Sequence, residues 1–309
     1  MGASGPLKPS DGKLRATDSV MDATGEIAVA ADTGDQLGES PVWDRAGNCL
    51  WWIDLRRPAL HRLEGGTVAT MDLPALVGAV VPGGDGRTAW VALPDGWWIV
   101  RGTGMRRAFA FPDHGPGYRL NDAKCGADGT LWFGSMRDRG ADETGGLWSL
   151  SWDGLRQHRG GIRIPNALAV SPGGRLAFCD TVSGGIETAR LEAGGLADWR
   201  LLAPADIAPG KPDGSTFDSE GYLWNARYGG GCLARIAPDG RLDRLVELPV
   251  SRPTSCAFGG PDMATLYVTT ARQGLTEAEL RAQPLAGATL CLRPGVTGIP
   301  DTPFHAGPR

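Results

Sequence analysis

The chain has 309 residues and a formal net charge of −4, with acids and bases interspersed, so it lacks the basic stretch that binding nucleic acid or an anionic membrane surface requires. This length accommodates two ordinary domains or one large all-β or α/β-barrel domain, and it is ample for a substantial core. The 47 Gly, 23 Pro and 11 Trp, against only 7 Phe and 4 Tyr, describe many turns between short apolar runs and point to β structure rather than helix bundles.

Residues 1–25 are polar and lack an apolar centre, which predicts a flexible N-terminal tail rather than a secretory signal. No later run approaches membrane-spanning length. "EIAVAA" (26–31) is the only strand-like run before the first repeat described below. Propellers often close the last blade with a strand from the other terminus, so this run is expected to pair near "ATLCLR" (288–293). The six cysteines (Cys49, Cys125, Cys179, Cys232, Cys256, Cys291) are scattered and form no CxxC pair, which predicts reduced thiols in a cytoplasmic protein.

From residue 47 a pattern recurs, a turn followed by a short apolar run. It reads Gly47–Trp51, Gly86–Trp90, Gly129–Trp132, Gly174–Ala177, Gly221–Trp224 and Ala264–Tyr267, with the last copy losing its Gly and the fourth its aromatic residue. The final residues are spaced by 39, 42, 45, 47 and 43. Six copies at this period, without long 3.6-residue periodicity, predict one all-β domain over 26–309, a six-bladed β-propeller. The exception is "LTEAELRAQ" (275–283), a short helix with Thr276 as N-cap and Glu279 completing a capping box.

Counting back 10 or 11 residues from the Leu of each turn motif reaches Glu39, Asn121, Asn166, Asp213 and Ser255 in five blades. The equivalent strand of every blade lines the axis, so these five positions converge at one mouth of the channel. Arg119, two residues before Asn121, projects to the same side. The second blade has Leu76 to Val80 there instead, giving a polar ring with one apolar wall, which suits a pocket. Spacing alone is equally compatible with a ring that only orders water.

The residue types favour a metal. Glu39, Asn166 and Asp213 supply two carboxylates and an amide carbonyl, hard oxygen donors suited to calcium, magnesium or manganese, and three protein ligands leave positions open. Two buried carboxylates without a cation repel each other and lose hydration. Competing layouts are weak: there is no GxSxG elbow and no HExxH, and His61, His114, His158 and His305 are isolated. His114 is read as a loop residue, with a place on the pocket rim as the alternative.

At these residues the chain resembles the SMP-30/gluconolactonase/luciferin-regenerating family, the regucalcin-like sugar lactonases. The resemblance runs from about Leu37 to the C-terminus and rests on "LGESPVWD" (37–44), "RLNDAKCGADGTLWFGSM" (119–136), "IPNALAVSP" (164–172), "KPDGSTFDSEGYLWNARYGGG" (211–231), "SCAFGGPDMATLYVTTAR" (255–272) and "PLAG" (284–287). It implies a propeller with one axial divalent ion (calcium, magnesium, manganese, zinc or iron(II)) held by Glu39, Asn166 and Asp213, and Arg119 and Asn121 as substrate contacts. Some members carry an acidic residue soon after "GSM" that meets the sugar. Here Arg137, Asp138 and Arg139 follow, and Asp138 is the candidate for that role. The last two blades are most similar to bacterial xylono- and arabinonolactonases.

The activity implied is metal-dependent hydrolysis of a sugar lactone, a pentono-1,4-lactone or gluconolactone. In that scheme the metal polarises the carbonyl, Asp213 activates water, and Arg119 and Asn121 hold the sugar. Two alternatives stay open at this point: another ester or phosphotriester hydrolase on the same scaffold, and a non-enzymatic calcium- or ligand-binding propeller.

Overall fold

The computed structural model describes residues 13–15, 26–112, 115–140, 142–193 and 195–305. Their strands form six antiparallel sheets. The innermost strands are Gly38–Asp44, Val80–Pro82, Tyr118–Cys125, Pro165–Val170, Lys211–Phe217 and Pro253–Gly259. They touch in ring order and the sixth touches the first, so the expected six-bladed propeller is closed.

Burial explains the repeat. The turn motif leads into the second strand of each blade, which is covered on both faces by neighbouring blades. Cys49–Asp54, Leu131–Arg137 and Leu223–Tyr228 are therefore almost continuously buried. Outermost strands such as Thr67–Asp72 and Gly104–Ala110 alternate between exposed and half-buried positions. The turn glycines Gly86, Gly129, Gly174 and Gly221 all take positive φ, and where the last copy lacks its glycine Met263 does so at +55°.

The sixth blade closes as expected. Glu26–Asp32 pairs antiparallel with Ala288–Leu292 and buries Ile27 and Ala31. The backbone of Lys13–Arg15 adds a three-residue strand outside it, within the stretch read as a tail. The helix is Glu277–Ala282, with the Thr276–Glu279 capping box formed.

A strap crosses the face away from the candidate site. After the last strand, Gly298 bridges to Asp218 of blade 5, Asp301 pairs with Lys124 of blade 3, and Phe304 donates its amide to Pro82 of blade 2 and packs on Trp90. Between the strap and the innermost strands lies a cavity of about 20 Å³, room for roughly one water. The strap thus covers this end of the axis.

Candidate active site

The site residues sit on irregular backbone. Pairing between the first and second strands slips at Glu39/Val42, Asn121/Ala123, Asn166/Ala169, Pro212/Ser215 and Pro253/Ser255. These are β-bulges at the same level of five blades, and such bulges re-aim side chains. Blade 2, with its apolar wall, pairs from Val80 to Pro82 without a slip. Next to the first three site residues, Ser40, Asp122 and Ala167 take φ of 53°, 43° and 61°. Such left-handed non-glycine residues cost on the order of 1 kcal/mol each and need surrounding support.

The support comes from neighbouring blades. Ser40 Oγ accepts from the Val80 amide at 2.9 Å, tying blade 1 to blade 2. Asp122 Oδ2 accepts from the Leu168 amide at 2.8 Å, tying blade 3 to blade 4. Thr254 Oγ1 donates to the Gly38 carbonyl at 2.5 Å, tying blade 6 to blade 1. At the blade 5 bulge Asn225 Nδ2 donates to Asp213 O and Ser215 Oγ at 2.8 and 2.9 Å, spanning the slip. Gly214 is glycine for want of space: a Cβ there would lie 2.0 Å from Ser255 Oγ.

One chain of hydrogen bonds links Asp138, Arg119, Asn121 and Asn166 across the mouth. Arg119 Nε meets Asp138 Oδ1 at 2.9 Å, and its Nη1 donates to Asn121 Oδ1 at 2.5 Å. Asn121 Nδ2 donates to Asn166 Oδ1 at 2.9 Å and to the Pro165 carbonyl at 2.7 Å. Asn166 Nδ2 donates to Thr181 Oγ1, which donates on to the Pro212 carbonyl next to Asp213. Arg119 and Asn121 do share a side, as their spacing predicts. Asp138 also receives Arg56 Nη1 at 2.8 Å.

The carboxylates crowd one another. Burial first, and then the charge of Asp122, push Glu39 up to about 8. Burial and then Glu39 and Asp122 push Asp213 well above the usual carboxylate range. Burial raises Asp122 to about 7 against the opposing pull of the Leu168 amide and Lys124. Asp138 behaves oppositely: burial would raise it, but the guanidinium bonds from Arg56 and Arg119 outweigh that and hold it low.

The donor set fits a divalent cation. Among the described residues, Asp213 Oδ1 is a buried oxygen with no hydrogen-bond partner. The charges of Glu39 and Asp122 both oppose its ionisation, and a cation relieves that opposition. Among the described residues no three His, Cys, Asp or Glu side chains gather as a metal cluster; the third candidate ligand here is the Asn166 amide.

Sequence reasoning placed Asp122 with Arg119 and Asn121 facing the axis, and it did not single out Arg56, Gln273 or Tyr228 near the candidate site. Asp122 stood in the motif, but strand alternation sends it to the opposite face from Asn121, and only the bulge gathers both. Arg56 and Gln273 are 217 positions apart and carry no local signal. His114 lies outside the described residues. His61 is buried against Asp35 and Thr70, and His158 bonds Ser149, so both are structural. All six cysteines are free, as expected, and five are buried. Among the described residues no helix is long and apolar enough to cross a membrane.

Residues 37–272 match the family model described as the SMP-30/Gluconolactonase/LRE-like region. The chain belongs to that family. It is 33% identical to the 6-deoxy-6-sulfogluconolactonase of Pseudomonas putida, over 88% of this chain and 95% of that protein. It is 31% identical to the L-arabinolactonase of Azospirillum brasilense, over 92% and 97%. Among solved structures, a calcium-binding regucalcin of Agrobacterium tumefaciens superposes with a TM-score of 0.85 at 28% identity, covering 90% of this chain and 96% of the other.

Proposed function

We propose that this member of the family hydrolyses an aldonolactone, a pentono-1,4-lactone or gluconolactone, to the aldonic acid, using one divalent ion held by Glu39, Asn166 and Asp213. The observation that carries the reading is the unpartnered Asp213 Oδ1, set among crowded carboxylates and beside the linked Arg119–Asn121 pair. Lactonases named for sulfogluconolactone and L-arabinolactone support the substrate class, and the calcium-binding regucalcin supports the cation.

When bound, the ion supplies polarisation of the lactone carbonyl and charge stabilisation of the tetrahedral adduct. The chain does the rest. Arg119 and Asn121, buried and fixed by Asp138 and Asn166, bind the ring ester and sugar hydroxyls without needing to reorganise. Asp213 accepts a proton as the water oxygen bonds to the carbonyl carbon. Collapse of the adduct breaks the ring C–O bond, and the proton passes to the departing alkoxide. Asp138 holds Arg119 in place, and in this reading it also meets a sugar hydroxyl.

The test is a panel of arabino-, xylono- and gluconolactone beside an organophosphate triester, each in chelator and in calcium, magnesium, manganese, zinc or iron(II). Lactone turnover abolished by chelator and restored by one of the ions is expected. Turnover of the triester alone, or metal-independent turnover, overturns the reading; binding of calcium with no turnover of any substrate favours a binding propeller.

A further inference from the structure

The rim of the mouth is lined with arginines, in contrast to its carboxylate-rich axis. From Asp138 a basic arc runs round the rim: Arg56 donates Nη1 to Asp138 Oδ2 and Nε to Gln273 Oε1, each at 2.8 Å. Arg252 approaches the same glutamine from the other side, donating to its backbone carbonyl and, at 2.9 Å, to the carbonyl of Gly274. The Arg252 guanidinium then lies 5.7 Å from the Tyr228 ring centre. Tyr228 joins the arc to the axis: burial, Asp213 and Glu39 raise its hydroxyl, while Arg252 opposes them.

Within this arc Asp138 serves both Arg56 and Arg119, the exposed Arg139 also bears on it at 3.8 Å, and Arg119 further faces Glu39 and Asp213, whereas Arg252 has no ion pair with a carboxylate among the described residues. The Arg252 acceptors among the described residues are neutral, namely two carbonyls and the Tyr228 hydroxyl. Glu279 is within electrostatic reach of Arg252, but it is exposed and engaged by its own helix cap at Thr276. Carbonyl oxygens orient a guanidinium without neutralising it. A fixed, partly buried guanidinium fork is matched to a planar or tetrahedral oxyanion.

We propose that the rim between Arg56 and Arg252, across Gln273, is a subsite for an oxyanion on the exocyclic end of the substrate. The preferred substrate class is then an aldonolactone whose far carbon bears a carboxylate or a phosphate. This rests on the lactone reading above, with the ring ester over the axis and the charged end against the arc. Gln273 sets the separation of the two guanidiniums, and Tyr228 walls the passage between rim and axis.

The test compares kcat/KM of the metal-loaded protein on D-glucono-1,5-lactone, on D-glucaro-1,4-lactone (carboxylate end) and on 6-phosphogluconolactone (phosphate end), at low and high ionic strength. At least one anionic lactone should exceed the neutral one by about tenfold at low salt, and the advantage should shrink as salt screens it. Which of the two gains more identifies the anion. Arg252→Gln should lower the anionic-to-neutral ratio about tenfold, and Arg252→Lys less. Equal kcat/KM on neutral and anionic lactones, or a ratio unmoved by both salt and Arg252→Gln, overturns the subsite; the salt series on the unmodified protein decides the matter even where a variant fails to fold. Calorimetric binding of gluconate and 6-phosphogluconate separates this proposal from the lactone reading. With no lactone turned over, at least tenfold tighter binding of 6-phosphogluconate, or of glucarate in the same assay, than of gluconate upholds the subsite while the lactone reading falls, and equal binding of all three overturns the subsite as well.

Discussion

Replacing Asp213 with Asn should make the metal-free protein more stable and the metal-loaded enzyme nearly inactive. The Asp213 side chain is 7% exposed, with one oxygen unpartnered and with Glu39 and Asp122 both opposing its charge. Without a cation it either stays ionised there or takes a proton. The second route bounds the penalty: protonating at pH 7 a carboxyl with an ordinary value of 3.8 costs about 4 kcal/mol, at about 1.36 kcal/mol per pH unit. Asparagine removes that penalty and keeps the shape, but it buries an NH₂ that costs about 1–2 kcal/mol where it lacks an acceptor. The net gain is at most about 2–3 kcal/mol, a rise in Tm of up to about 4–8 °C in chelator. In saturating calcium or manganese the order should reverse, because the wild type gains a charged ligand that the variant lacks. Melting curves in both conditions read this crossover, and lactone turnover at saturating metal reads the chemistry, with a loss of more than tenfold expected. A variant that melts lower than wild type in chelator refutes the electrostatic argument. Turnover within about threefold of wild type, a barrier change under about 0.7 kcal/mol, refutes the role of Asp213 as base.

The pH dependence has a definite sign. Glu39 at about 8 and Asp122 at about 7 stand above their ordinary 4.5 and 3.8, so their ionisation opposes folding; the penalty is absent below about pH 4 and grows up to about pH 8. In chelator, Tm attributable to this cluster should fall from pH 5 to pH 9, and metal should flatten the slope; an unchanged slope on adding metal counts against the proposed ligands. Metal binding at pH 6.5 should release protons, which calorimetry in two buffers of different ionisation enthalpy detects. Asp138→Asn leaves Arg56 and Arg119 without their carboxylate and should destabilise by about 2–3 kcal/mol while raising KM for lactone; denaturant unfolding with an unchanged midpoint would contradict the bridging role. Deleting residues 1–31 removes the strand that buries Ile27 and Ala31 and should lower Tm by several degrees, whereas deleting 1–20 should not; equal melting of the two truncations would exclude closure by that strand.

The blades, and the level of the candidate site along each innermost strand, were legible in the sequence. The signals involved are local: a turn glycine, an apolar second strand enclosed by neighbouring blades, and a fixed count back to Glu39, Asn121, Asn166 and Asp213. Motif resemblance added the family and a set of roles for those residues. Other features were set only by closing the ring. Alternation in a strand places Asn121 and Asp122 on opposite faces, and the bulge between them is held by the Leu168 amide of the next blade donating to the Asp122 carboxylate. The carboxylate crowding follows from three blades meeting on one axis. Arg56 of blade 1 and Arg252 of blade 6 meet at Gln273 because the last blade lies beside the first. No local pattern encodes that meeting, since it depends on six blade-to-blade rotations adding up to a closed circle.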